Sequence, residues 1–253
     1  MPAELTRAYT PVDGHIIFSR QSSDAATSGR PAVVLVHGLG TSSLYMAPTA
    51  VRLAEDFRVY ALDLPGFGHS SKPPRALDLP AQAAVLANWM LAMGLHRAPM
   101  VGNSFGCQVI AAFGLRYPDR LERGVLQGPT IDRHARTAIQ QFGRFALDLP
   151  QERVPEYFIN AHDYWRTGLH RGWETFQIAL KDRIEDKVPR LEMPVLVVRG
   201  QRDPIVSQRW VEELTGLLPN GRLVITRGAH TPNFSEPEAF SGVVRAFVLP
   251  NSS

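Results

Sequence analysis

The sequence predicts an α/β fold: a mostly parallel, twisted sheet with helices on both faces and a helical cap inserted between two strands. Three observations predict it. Residues 31–36, 98–101 and 194–198 are short, β-branched and apolar without alternation, as strands buried on both faces are. Helical patterns alternate with such runs, which implies βαβ units. Residues 131–188 break the alternation and contain no strand pattern.

In chain order, residues 16–19 read as part of an edge hairpin near the N-terminus. Residues 31–36 form the first buried strand, and an amphipathic helix follows over 43–55. A weaker strand covers 57–62. The helix over 80–93 starts after Asp78, a capping residue, and ends at Gly94. Residues 98–115 carry no charge, and their length raises the question of a membrane span. Pro99, Gly102, Asn103, Ser104, Gly106 and Gln108 instead make this stretch a strand, a sharp turn and a helix that stops before Pro118. Weaker strands follow at 121–127 and 222–226, with the buried strand 194–198 between them. A helix over 207–218 stops before Pro219. The last helix, 236–248, has Ser235 as its expected N-cap, Pro237 in its first turn and Pro250 beyond its end.

The stretch 131–188 is polar and helical in pattern, with breaks at Pro150, Pro155, Gly168 and Gly172. It also holds Phe142, Phe145, Tyr157, Phe158, Tyr164, Trp165, Trp173 and Phe176, some of which are expected to line an apolar cleft under a lid. Residues 1–129 and 190–253 are therefore read as the core and 130–189 as the cap.

A chain of 253 residues fits one α/β domain with an insertion, or two ordinary domains. With 44% hydrophobic and 20% charged residues it is globular in composition. A net charge of +3 is too even for a protein devoted to nucleic acid or an anionic membrane. The single cysteine, Cys107, excludes an internal disulfide framework and a cysteine-based zinc site; it reads as a small buried hydrophobe. The N-terminus lacks the pattern of a secretory signal, so a cytoplasmic location is expected. A small-molecule substrate is expected as the partner, and oligomeric state is left open.

The strongest chemical signal is Gly102-Asn103-Ser104-Phe105-Gly106, a G-x-S-x-G pentapeptide placed after a strand and before a helix. A turn this tight strains the serine backbone, so the residues two before and two after must be small. It lifts the hydroxyl above the sheet, at a helix N-terminus that favours negative charge. Serine needs a base and an orienting acid. His230 follows the strand 222–226, and Asp203 follows the strand 194–198, which puts both on the sheet edge where catalysts gather in open α/β folds. The order Ser104, Asp203, His230 is a known triad order. The sequence His37-Gly38-Leu39-Gly40 follows a buried strand, and the N–H groups of Leu39 and Phe105 are candidate donors to an oxyanion. His37 is read as structural. His134, His162 and His170 lack any metal-site spacing, and no phosphate-binding glycine motif occurs, so neither cofactor nor metal is expected.

These motifs, together with Asp63-Leu-Pro-Gly-Phe-Gly-His-Ser, resemble the α/β-hydrolase fold superfamily over essentially the whole chain. The resemblance implies Ser104 as nucleophile, Asp203 as acid, His230 as base and an oxyanion hole at Leu39 and Phe105. It assigns no catalytic role to Asp63 or His69. It implies a carboxylesterase-like enzyme with a helical cap, acting on a small to medium, partly apolar substrate. The elbow is also similar to that of the carbon–carbon bond hydrolases of the meta-cleavage-product type, although Thr231 stands where those enzymes usually carry Trp. A ligand-binding receptor on the same scaffold is the alternative outside catalysis.

Overall fold

The structure is a computed structural model that describes residues 4–23, 27 and 29–249. Its strands are β1 (Leu5–Val12), β2 (His15–Ser22), β3 (Ala32–Val36), β4 (Arg58–Leu62), β5 (Ala98–Asn103), β6 (Leu121–Gln127), β7 (Val195–Gly200) and β8 (Gly221–Thr226). They form one sheet in the order β1-β2-β4-β3-β5-β6-β7-β8. The strand β2 is antiparallel to β1 and β4, and all the other pairs are parallel.

Chain direction across the sheet reverses at β3: β4 lies on one side of it and β5 on the other. Loops from adjacent strands part there, leaving a crevice at the carboxyl ends. The helices are α1 (Ser43–Leu53), α2 (Leu79–Ala92), α3 (Phe105–Arg116), α4 (Ala138–Asp148), α5 (Val154–Thr167), α6 (Leu169–Lys181), α7 (Ile184–Lys187), α8 (Gln208–Leu217), α9 (Pro232–Ser235) and α10 (Pro237–Val248).

Why the central strands are apolar throughout is clear from their alternation. Val34, Val36, Met100 and Val197 point into one core with Trp89 of α2, Phe113 of α3 and Trp210 of α8. Val33, Leu35, Val101 and Val198 point into the other, with Met46 of α1 and Phe240 of α10. Asp78 caps α2 by accepting from the Ala81 N–H at 2.9 Å, as expected.

The structure differs from the sequence expectation at two elements. The edge hairpin is two full strands turning at Asp13 (φ 50°) and Gly14 (φ 76°), and Val12 pairs with His15. The strand β1 carries no apolar run because its side chains are mostly exposed or half-buried, so periodicity does not reveal it. At the other end, Ser235 does not cap the last helix. It closes the short helix α9 and donates its hydroxyl to Thr231 O at 3.0 Å, and α10 starts one residue later than expected, at Pro237.

Between β6 and β7 the chain is helical, from α4 to α7. The helix α5 has an unusual polarity. Its buried residues are Glu156, Asn160, Asp163 and Thr167, whereas Val154, Phe158 and Trp165 are exposed. The helical insert is joined to the core through Asp132, which is fully buried. Its Oδ2 accepts from Arg144 of α4 at 2.6 Å and from the Ser207 hydroxyl at 2.7 Å. Arg144 also donates to Ile205 O at 2.8 Å. The insert is thereby tied to the loop after β7. No helix among the described residues is long and apolar enough to cross a membrane.

Replacing Asp132 with Ala removes the carboxylate shared by the half-buried Arg144 and Ser207 and leaves Arg144 only Ile205 O. The unfolding free energy in urea is expected to fall by roughly 1–3 kcal/mol, with an unchanged dependence on urea concentration. A variant as stable as wild type would show that the tie is dispensable.

Candidate active site

The turn from β5 to α3 is made possible by missing side chains. A Cβ on Gly106 would lie 2.4 Å from the Val36 carbonyl oxygen, and one on Gly102 would lie 2.8 Å from the Gly106 backbone. The backbones of β3, β5 and α3 meet at these contacts. Ser104, held between the glycines, takes φ 53° and ψ −116°. A non-glycine residue there costs about 1–3 kcal/mol. Its N–H donates to Gln127 O at 2.9 Å, which pins the turn to β6. The serine side chain projects at the N-terminus of α3 and lines a pocket.

The loops after β7 and β8 bring Asp203 and His230 together. Asp203 Oδ1 accepts from the N–H groups of Ile205 (2.8 Å) and Val206 (3.0 Å), so its other oxygen is aimed. That oxygen, Oδ2, lies 2.9 Å from His230 Nδ1. Both side chains are almost fully buried. Burial disfavours the imidazolium, but Asp203, with smaller help from Asp148 and Glu152, outweighs it and pushes the His230 pKa up to about 9. The carbonyl of His230 accepts from Gln127 Nε2 at 2.6 Å, which fixes the loop from below.

Ser104 and His230 line the same pocket, but no hydrogen bond joins them among the described residues. The Ser104 hydroxyl lies 3.4 Å from Thr130 Oγ1 instead. Leu39 and Phe105 also line the pocket. Phe105 opens α3, so its N–H has no acceptor within the helix.

His37 sits at 0% exposure, with Nδ1 facing Gly38 O at 2.7 Å and Nε2 accepting from the Leu64 N–H at 2.9 Å. Burial pushes its pKa down, so the ring is neutral and braces the loop. Asp63 accepts from the N–H groups of Ser43 (2.6 Å) and His69 (2.7 Å) and organises the turn after β4. Cys107 is fully buried, and burial pushes its thiol pKa well up. His134, His162 and His170 lie against separate carboxylates, Glu213, Asp163 and Glu174.

The pocket has a volume of about 490 Å³. Of the eight aromatic residues singled out in the insert, Phe142, Phe145, Tyr164, Trp173 and Phe176 line it. Tyr157, Phe158 and Trp165 do not; Phe158 is 74% and Trp165 80% exposed, on the outer side of α5.

Sequence reasoning missed several residues of the site. Gly128, directly after β6, has φ 57°, and a Cβ there would lie 2.8 Å from His230 Cε1. Its pairing with Pro129 signals a turn but not the imidazole it makes room for. Thr130 beside Ser104, and Asp148, Glu152 and Asn160 of the insert, also line the pocket. Nothing local in the sequence marks them.

This fold, with a serine on the turn after the central strand and an acid–histidine pair on the later loops, is that of the α/β hydrolases. The family model described as "alpha/beta hydrolase fold" matches residues 31–153, and one described as "TAP-like protein" matches residues 159–251. The chain belongs to the α/β-hydrolase fold superfamily. It is 26% identical over 249 residues to the carboxylesterase YbfK of Bacillus subtilis, covering 86% of this chain and 80% of that one. It is 28% identical over 251 residues to the pimeloyl-[acyl-carrier protein] methyl ester esterase of Stenotrophomonas maltophilia, covering 88% and 94%. A shorter match, 33% over 114 residues, relates 43% of this chain to 26% of the abhydrolase domain-containing protein abhd-5.2 of Caenorhabditis elegans. Among solved structures, a hydrolase from Pseudomonas aeruginosa superposes with a TM-score of 0.82 at 22% identity, covering 97% of this chain and 98% of that one.

The raised imidazole has a consequence for stability. His230 gains affinity for its proton on folding, so its pair with Asp203 stabilises fully below the unfolded value of about 6.5. That contribution is lost as pH rises through about 9. Glu156, pushed up by burial to about 7, causes its own decline at lower pH, complete near pH 7. Urea midpoints should therefore fall from about pH 7.5 to 9.5 in wild type, and much less in His230→Gln. Equal slopes in the two proteins would contradict the raised imidazole.

Proposed function

We propose that the protein is a serine hydrolase that cleaves carboxylic esters of small to medium, partly apolar substrates through an acyl-enzyme. One observation carries this reading: the strained Ser104 and His230, the latter held by buried Asp203, line the same pocket. Relatives whose names record ester hydrolysis support the bond type. The pocket volume and its aromatic wall support the substrate size.

In this mechanism neutral His230 takes the Ser104 proton as the oxygen attacks the ester carbonyl. Asp203 holds the Nδ1–H, which presents Nε2 to the serine and stabilises the cation that forms. The negative charge on the carbonyl oxygen is received by the N–H groups of Leu39 and Phe105, the second of them reinforced by the N-terminus of α3. His230 then gives its proton to the departing alcohol. Water, deprotonated by the same imidazole, attacks the acyl-enzyme, and collapse of the second tetrahedral species releases the acid and restores Ser104. The protons balance: the one from Ser104 leaves with the alcohol, and the one His230 takes from water passes to the Ser104 oxygen as the acid departs.

The test is hydrolysis of p-nitrophenyl esters from acetate to long acyl chains by wild type and Ser104→Ala. Wild type should turn over the short and medium chains, and the variant should lose at least roughly 10³-fold in kcat. Near-equal rates would overturn the mechanism. Because the base must be neutral, kcat/KM should rise with pH toward a plateau above about pH 9. Absence of activity on every chain length, from folded protein, would turn attention to carbon–carbon bond cleavage.

A further inference from the structure

We propose that Asp148, Glu152 and Asn160 form a subsite for a positively charged, hydrogen-bond-donating group on the alcohol half of the substrate. The assignment to the alcohol half rests on the ester reading above; the subsite itself does not.

All three side chains line the pocket beside His230. Asp148, at the end of α4, is 1% exposed, and its Oδ1 accepts from the His230 N–H at 3.4 Å. Glu152, just before α5, accepts from Asn160 Nδ2 at 3.3 Å through Oε2. Asn160 is 6% exposed, and its Oδ1 has no hydrogen-bond partner among the described residues. Behind them Glu156 is fully buried, and its Oε1 is unpartnered as well.

This corner of the pocket offers acceptors and more negative charge than His230 balances. No Arg or Lys among the described residues lines the pocket. Among the described residues none forms an ion pair with Asp148, Glu152 or Glu156, and Arg153 is turned to Glu236 at 3.3 Å. His230, pushed up to about 9 by Asp203 with smaller help from Asp148 and Glu152, supplies one positive charge against these three carboxylates, and its Nδ1 is held by Asp203. Buried carboxylates without a cation are costly, and burial pushes all three upward in pKa. A ligand ammonium group supplies both missing elements: a positive charge near Asp148 and Glu152, and an N–H for Asn160 Oδ1. Its place in the reaction follows from His230. The imidazole delivers its proton to the leaving alcohol, so groups beside it face that half of the ester. The favoured substrate is then an ester of an amino alcohol, with the apolar remainder of the pocket left for the acyl chain.

The test reads binding, not turnover. Isothermal titration at pH 8 compares n-hexylammonium with 1-hexanol on wild type, Glu152→Gln and Asp148→Asn. Wild type should bind n-hexylammonium at least about tenfold more tightly than 1-hexanol, and the preference should fall toward unity in both variants. Undetected 1-hexanol beside measurable n-hexylammonium counts as preference. Equal affinities in wild type, no detectable n-hexylammonium binding, or a preference unchanged in Glu152→Gln would overturn the subsite. Urea midpoints verify that the variants are folded, and two variants guard against the loss of either. Hydrolysis of p-nitrophenyl esters by the same wild-type preparation separates the two ideas. Intact hydrolysis with equal binding removes the subsite alone, and absent hydrolysis with selective binding removes the ester reading alone.

Discussion

The backbone of α3 meets the carboxyl end of β3 at Gly106, at a distance that leaves no room for a side chain. That approach forces the tight exit from β5, and the tight exit puts Ser104 in a conformation that few residues adopt. It also draws the loop of Gly38 and Leu39 against the serine. A Cβ on Gly38 would lie 2.8 Å from Asn103 Oδ1 and 3.4 Å from Ser104 Cβ. The strain at Ser104 is held by two packed cores that flank the strands, and by the N–H of Ser104 on β6. A local conformation that costs energy is stable here because its surroundings leave it no alternative.

The Asp203–His230 pair depends on a second close approach. Gly200, at the end of β7, faces the Ala229 carbonyl so tightly that a Cβ would fall 1.8 Å from it. The loops that carry Asp203 and His230 are therefore one packed unit, and Gly128 leaves space for the imidazole on the side of β6. Arg199 adds to the unit by donating to Asp203 O at 2.7 Å and to Val206 O at 2.7 Å. Two neighbouring strands, β6 and β7, contribute at their carboxyl ends two glycines and the buried Arg199, so that a single histidine ring keeps its orientation.

The parts of this molecule legible in the sequence are those whose signals are local. Central strands are apolar on both sides, because alternate residues feed two cores. The serine turn declares itself through glycines two residues either side, and Asp203 and His230 follow apolar strands directly. What escaped reading depends on contacts between distant segments. The strand β1 has no apolar stripe because it sits at the sheet edge. Gly128 looks like any turn glycine until the His230 ring is beside it. The acids of the insert resemble a solvated surface in sequence, and only the fold turns them inward. Ser235 has the chemistry of a cap, but its hydroxyl is taken by Thr231 O.

The reversed polarity of α5 bears on how the pocket is covered. Its buried stripe is Glu156, Asn160, Asp163 and Thr167, and none of its apolar side chains is fully buried. Heat capacity changes on exposure chiefly through apolar surface, and polar surface contributes with the opposite sign. Lifting this helix from the core would therefore carry little of the heat-capacity change that accompanies opening an ordinary amphipathic helix. The balance between a covered and an uncovered pocket would vary gently with temperature, while the two cores beneath keep the steep curvature of a folded domain.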